Sequence, residues 1–312
     1  MQKTGLLGNH NPASQLLVLL GIALVSVAVF SFISILLANP LFGINVMANP
    51  GIISQFSNPA VVSLLKFMQT LQSFGLFVLP PMLFAFVYYR NILGYLQLNV
   101  SFTFMSLVLI IVVMFFALPL INWMGEINAH LKLPAAFAGI EQWMKNSEEQ
   151  AEQLTKVFLN MNTKADLLFD LLMVAVIPAI GEEFLFRGVL QKIFIDWTKN
   201  KHAGIWITAI LFSAMHLQFY GFVPRMMLGA LFGYAYLWTG SLWIPIIGHF
   251  INNGAAVFIS YLEQHGKVNP QLENIGSAND EFIMVLVSFV FVTGLLFLLW
   301  KQRKKESEIS LL

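Results

Sequence analysis

From Leu16 to Leu37 the chain runs about 22 residues without a charge. That is long enough to cross the hydrocarbon of a bilayer as a helix. Comparable runs recur over 61–89, 102–121, 167–197, 203–217, 222–238, 243–262 and 282–300. Inside hydrocarbon every backbone N–H and C=O must be satisfied within the protein, so runs of this length read as helices. Only 11% of the residues are charged, against roughly a quarter in soluble domains. The expected fold is therefore all-α: a polytopic transmembrane helical bundle of about eight spans.

One extramembrane segment stands out between the third and fourth spans. Over 123–166, the residues Ile140, Trp143, Met144, Ser147, Ala151, Leu154, Phe158 and Met161 recur at helical spacing, with Glu141, Glu148, Glu149 and Glu152 largely off that stripe. An amphipathic helix is expected, either packed on the bundle or acting as a lid over a site. Three regions of one integrated membrane domain follow: an N-terminal part over 1–166, a core over 167–262, and a last span with a basic tail over 263–312. The first run exceeds the roughly 7–15 residues of a signal-peptide core and reads as a retained helix. Lys66 near a span end is expected to snorkel, and Pro80-Pro81 to kink the second span. Lys3, Arg90, Lys192, Lys199, Lys201 and the tail 301–305 fall on one face, which predicts both termini in the cytoplasm. A bacterial inner (plasma) membrane is the expected location.

A net charge of +1 gives no support for nucleic-acid binding. The chain has no cysteine, which excludes disulfides, thiol nucleophiles and Cys-based metal sites. The chemistry must come from elsewhere. Gly181-Glu182-Glu183-Phe184-Leu185-Phe186-Arg187-Gly188 places two carboxylates and an arginine in an oily run, where charge is costly and marks function. Glu183 and Arg187, four apart, share a helix face and can pair. Glu182 points about 100° away and is left for another partner. His216 and His249 fall within two other spans, the second with Asn253 one turn on. Counted at 1.5 Å per residue from the span starts, Glu182 lies roughly 23 Å deep, His216 about 20 Å and His249 about 9 Å, entering from opposite faces, so the three can meet. His10, His130, His202 and His265 lie at boundaries or in loops and read as ordinary surface groups.

Burial makes a carboxylate a stronger base, able to activate water. A histidine beside it can share that water. A second histidine with an asparagine amide can donate to a developing oxyanion. Such a set can hydrolyse an amide without a serine or cysteine.

Glu182-Glu183-x-x-x-Arg187, then Phe212-x-x-x-His216, then His249-x-x-x-Asn253, in that order and in membrane runs, resembles the CPBP family of intramembrane proteases. That family includes the type II CAAX prenyl endopeptidases and the bacteriocin-processing, lysostaphin-resistance-like and abortive-infection proteins. The resemblance covers about a third of the chain. It implies that Glu182 is the general base, sharing water with His216, and that Glu183, held by Arg187, organises the site. It further implies His249 and Asn253 as oxyanion stabilisers, with Phe212 and Phe186 in support. It implies a peptide or protein substrate at the bilayer, lipidated or not. No cofactor is required by this reading. Zinc is the open alternative, with Glu182, His216 and His249 as its ligands, although the His-Glu-x-x-His pattern is missing. A non-proteolytic membrane chaperone or immunity factor on the same scaffold is the alternative function. An ion-coupled transporter is a third, disfavoured by the lack of an internal repeat.

Overall fold

A computed structural model of the chain describes residue 7 and residues 11–269, 275–276 and 282–302. Lys3, His10 and the tail from Arg303 onward lie outside these residues. Among the described residues the fold is helical throughout, with no strand. Every apolar run has its helix: Pro12–Phe42, Pro59–Tyr89, Phe104–Ala129, 164–198, Lys201–Ala214, Phe222–Thr239, Trp243–Gln264 and Phe282–Lys301.

Their ends follow from local chemistry. Asn11 caps the first helix through its side chain to the Ser14 N–H at 2.8 Å, Pro12 occupies the first turn, and Gly43 at φ 69° ends it. Asn58 and Pro59 repeat the arrangement at the second helix. Thr163 and Asp166 form a reciprocal capping box at the start of 164–198. Two helices widen into π-turns just before a proline, at 74–78 ahead of Pro80-Pro81 and at 171–176 ahead of Pro178. Proline has no N–H and crowds the carbonyl four residues back, and a wider turn accommodates both.

Five of these helices are long and apolar enough to cross a membrane: Pro12–Phe42, Pro59–Tyr89, Phe104–Ala129, Trp243–Gln264 and Phe282–Lys301. The other three carry the motif charges or are short. Helix 164–198 holds Asp170, Glu182, Glu183 and Arg187, and Phe222–Thr239 holds Arg225. Lys201–Ala214 spans about 21 Å, short of a hydrocarbon core of about 30 Å.

The core is built around the motif helix. Phe184, Leu185, Phe186 and Val189 pack with Tyr88, Tyr95, Leu96, Phe212, Tyr236, Leu242 and Ile246. Gly181 is required for this closeness, since a Cβ there would stand 2.8 Å from the Phe77 Cβ.

Two expectations are corrected. Lys66 does not snorkel: its Nζ donates to both oxygens of Asp170, at 2.7 and 2.9 Å, and both residues are buried. The third helix continues past 121 to Ala129, shortening the extramembrane segment. The amphipathic helix forms, at Ala138–Phe158, and lies against the bundle with none of its residues fully buried.

Candidate active site

The i,i+4 spacing brings Arg187 Nη1 to Glu183 Oε1 at 2.6 Å, with both side chains fully buried. The other guanidinium terminus donates to the Gly229 carbonyl at 2.7 Å. Its carbon lies 4.8 Å from the Phe212 ring centre and 5.5 Å from that of Phe232. An ion pair in a low-dielectric core is tolerable only with such added partners. Gly229 supplies the carbonyl because the 222–239 helix runs close to the 201–214 helix, where a Cβ would meet the Ala209 Cα at 3.2 Å.

His249 joins the same carboxylate, with Nδ1 2.9 Å from Glu183 Oε1. Its other nitrogen, Nε2, faces Glu182 Oε2 at 3.8 Å. Phe232 stacks on the imidazole, at 5.5 Å between ring centres and 17° between planes, and Phe212 meets it edge-on. These contacts fix the ring between the two adjacent glutamates. Glu182 is 8% exposed, and its Oε2 has no hydrogen-bond partner among the described residues.

His216 does not lie within a helix. The 201–214 helix ends at Ala214, and His216 sits in the turn that follows. Leu217 at φ 53° breaks the helical path, a backbone shape that composition does not announce for leucine. The turn still returns His216 to its own helix, with Nδ1 2.9 Å from the Phe212 carbonyl. A carbonyl can only accept, so Nδ1 carries the proton and a neutral His216 presents Nε2 as an acceptor. His216 is in electrostatic range of Glu182 and His249. Phe212 packs edge-on against both His216 and Phe186.

Asn253 is placed differently from the other motif residues. Its Nδ2 donates to the Val174 carbonyl at 3.1 Å, and its Oδ1 accepts from Asn252. Val174 stands four residues before Pro178, which brings no N–H to it. Asn253 thus ties the 243–264 helix to the π-turn of the motif helix.

Arg225 was not singled out by sequence reasoning, although a lone charge in an apolar run is the signal that marked Arg187. It donates to the Gln218 carbonyl at 2.9 Å and to the Gln218 side chain at 2.7 Å, and it is in electrostatic range of Glu182. Glu182, His216 and His249 are the trio that zinc would use. Among the described residues no three His, Asp or Glu side chains gather as metal ligands.

Residues 164–255 match the family model described as type II CAAX prenyl endopeptidase Rce1-like. The chain is 28% identical over 135 residues to the uncharacterized protein YpbD of Bacillus subtilis (strain 168), covering 42% of this chain and 64% of that protein. It is 32% identical over 95 residues to the membrane-embedded CAAX protease MroQ of Staphylococcus aureus (strain USA300), covering 28% of this chain and 38% of that protein. The chain thus spans less than two thirds of the length of these curated relatives. No solved structure matches it.

Proposed function

We propose, from the premise that residues 164–255 belong to the Rce1-like family of type II CAAX prenyl endopeptidases, that this chain is an intramembrane endopeptidase. Its substrate is a membrane-associated peptide or protein, and its nucleophile is water. One observation carries the reading. Of two adjacent buried glutamates, Glu183 is neutralised by Arg187, while Glu182 keeps an oxygen without a partner beside His249.

In this reading Glu182 takes a proton from a water that His216 Nε2 orients. The hydroxide adds to the scissile carbonyl, and the proton on Glu182 passes to the amide nitrogen as the C–N bond breaks. The oxyanion forms toward His249 Nε2. With Nδ1 donating to Glu183, that nitrogen carries a hydrogen only in the imidazolium form. The Glu183 carboxylate stabilises that cation, which gives the Glu183–Arg187 pair its part in the reaction. Asn253 acts as a positioning residue by holding the His249 helix against the motif helix.

The test is cleavage by purified protein in liposomes, read on quenched-fluorescent peptides with a membrane-inserting end, half of them with a farnesylated Cys-a-a-X terminus. Glu182→Gln is expected to lower the rate about 10³-fold with unchanged melting. Full cleavage by that variant would reject the reading. If Glu182→Gln and His216→Ala each complemented every deletion phenotype, the chaperone or immunity reading would stand instead.

A further inference from the structure

The amphipathic helix Ala138–Phe158 crosses the fold without being embedded in it. None of its residues is buried, and Ile140 and Trp143 are each 50% exposed. Its C-terminal half stands over a cavity of about 1200 Å³, walled also by the 59–73 and 164–170 helical segments and the end of the 243–264 helix. That end is the fixed one: just past the helix the Gln264 side chain donates to the Leu159 carbonyl at 2.6 Å and accepts from the Met161 N–H at 2.9 Å, while the Lys156–Glu152 pair lies within the helix and is exposed.

Its N-terminal half and middle meet the bundle at residues 218–220. Glu148 accepts from the Tyr220 N–H at 3.3 Å and from the Gln218 side chain at 3.4 Å. Trp143 packs on Phe219 with ring centres 5.1 Å apart. Residues 218–220 directly follow the turn that carries His216, and Gln218 is the residue Arg225 grips. The turn itself is fixed from the opposite side. Asn128 donates to the Phe219 carbonyl and accepts from the Val223 N–H, each at 2.7 Å, and Ser213 Oγ donates to the Phe222 carbonyl. The turn is therefore braced by short bonds from the bundle, while helix 138–158 meets it through two long bonds and one ring contact.

We propose that helix 138–158 is a gate over the His216 turn, that Glu148 and Trp143 are its latch, and that a peptide substrate enters by lifting it. The proposal rests on the proteolytic reading for the identity of what enters. The gate itself is a property of the turn and the helix, and it is measurable without cleavage. The Asn128 brace keeps His216 in place when the gate lifts, so access changes while the catalytic geometry does not.

The chain has no cysteine, which makes His216→Cys the sole thiol and a clean probe of access. In liposomes its labelling by a polar maleimide is expected to accelerate about tenfold when Glu148→Ala is added, the scale of one lost charge-assisted hydrogen bond. Glu148→Gln, which keeps one acceptor oxygen, is expected to fall between. Equal labelling rates in all three, with unchanged melting, would overturn the gate. A second arm bridges Trp143→Cys to Phe219→Cys with a short bis-thiosulfonate reagent. Bridging is expected to stop peptide cleavage, and dithiothreitol to restore it. Undiminished cleavage at complete bridging overturns the gate and leaves the protease reading intact. Labelling that responds to Glu148 in a protein that cleaves nothing supports the gate and counts against the protease.

Discussion

Helix 164–198 holds two buried ion pairs about 20 Å apart, and they are built to different ends. Asp170 receives Lys66 from another helix on both of its oxygens, at 2.7 and 2.9 Å. Glu183 receives Arg187 from its own helix on one oxygen, and the same oxygen also meets His249. Glu183 Oε2 and Arg187 Nε are left without hydrogen-bond partners among the described residues. A pair engaged on both carboxylate oxygens joins two helices. A pair with spare donors and acceptors, set beside an imidazole and a second carboxylate, can respond when a reaction moves charge. Within one helix, then, buried charge by itself does not single out the proposed site; unspent hydrogen-bonding capacity beside it does.

The contrast breaks most visibly under paired substitution. Glu183→Gln with Arg187→Met removes the whole pair, so no lone charge is stranded. Cleavage is nevertheless expected to fall at least about 10²-fold, because the negative charge of His249's partner is gone. Lys66→Met with Asp170→Leu is expected to leave cleavage near its starting rate. Equal losses in the two doubles, measured in the same liposome assay, would erase the distinction.

Single substitutions sharpen it. Lys66→Met alone strands Asp170 and is expected to cost about 3–5 kcal/mol in detergent unfolding, most of it recovered by adding Asp170→Leu. Asn253→Ala removes the side-chain bond to the Val174 carbonyl and is expected to cost about 0.5–1.5 kcal/mol. Adding Pro178→Ala, which returns an N–H to that position, is expected to recover part of the loss. If Asn253→Ala lowers cleavage as far as Glu182→Gln does without lowering stability, Asn253 touches substrate and is more than a brace.

The smallest effect lies at the helix start. The Thr163 hydroxyl, which bonds Asp166, holds that carboxyl below its usual range, against a slight opposing effect of burial. The folded form therefore binds its proton less readily than the unfolded chain. The stabilisation is complete above the ordinary aspartate value of about 3.9 and is lost as pH falls through the lower folded value. Asp166→Asn is expected to flatten that acid limb of the unfolding profile, and Thr163→Ala to cost about 1 kcal/mol.

These two pairs also mark how far the sequence could be read. Glu183–Arg187 was legible because a four-residue spacing within one helix fixes a contact. Lys66–Asp170 was not, because the two residues lie on separate helices and spacing along one helix does not say which other helix packs against it. The same limit hid how His249 sits between both glutamates. Eight apolar runs became eight helices, and the three that fall short as independent spans carry charge, as 164–198 and 222–239 do, or are short, as 201–214 is. Leu217 ended the 201–214 helix early through a left-handed backbone that leucine does not signal. Glu148 read as one of several solvent-facing acids, because its partners at 218 and 220 are set by the fold of a turn.

The central claim is that Glu182 is the carboxylate left free to activate water while Glu183 is held. Initial cleavage rates of Glu182→Gln and Glu182→Asp, beside the Lys66→Met and Asp170→Leu double in the same liposomes, test it most directly. The account predicts about a 10³-fold loss for Glu182→Gln, a smaller loss for Glu182→Asp, and a rate near the starting value for the double. A Glu182→Gln protein that folds and cleaves at the original rate would contradict it.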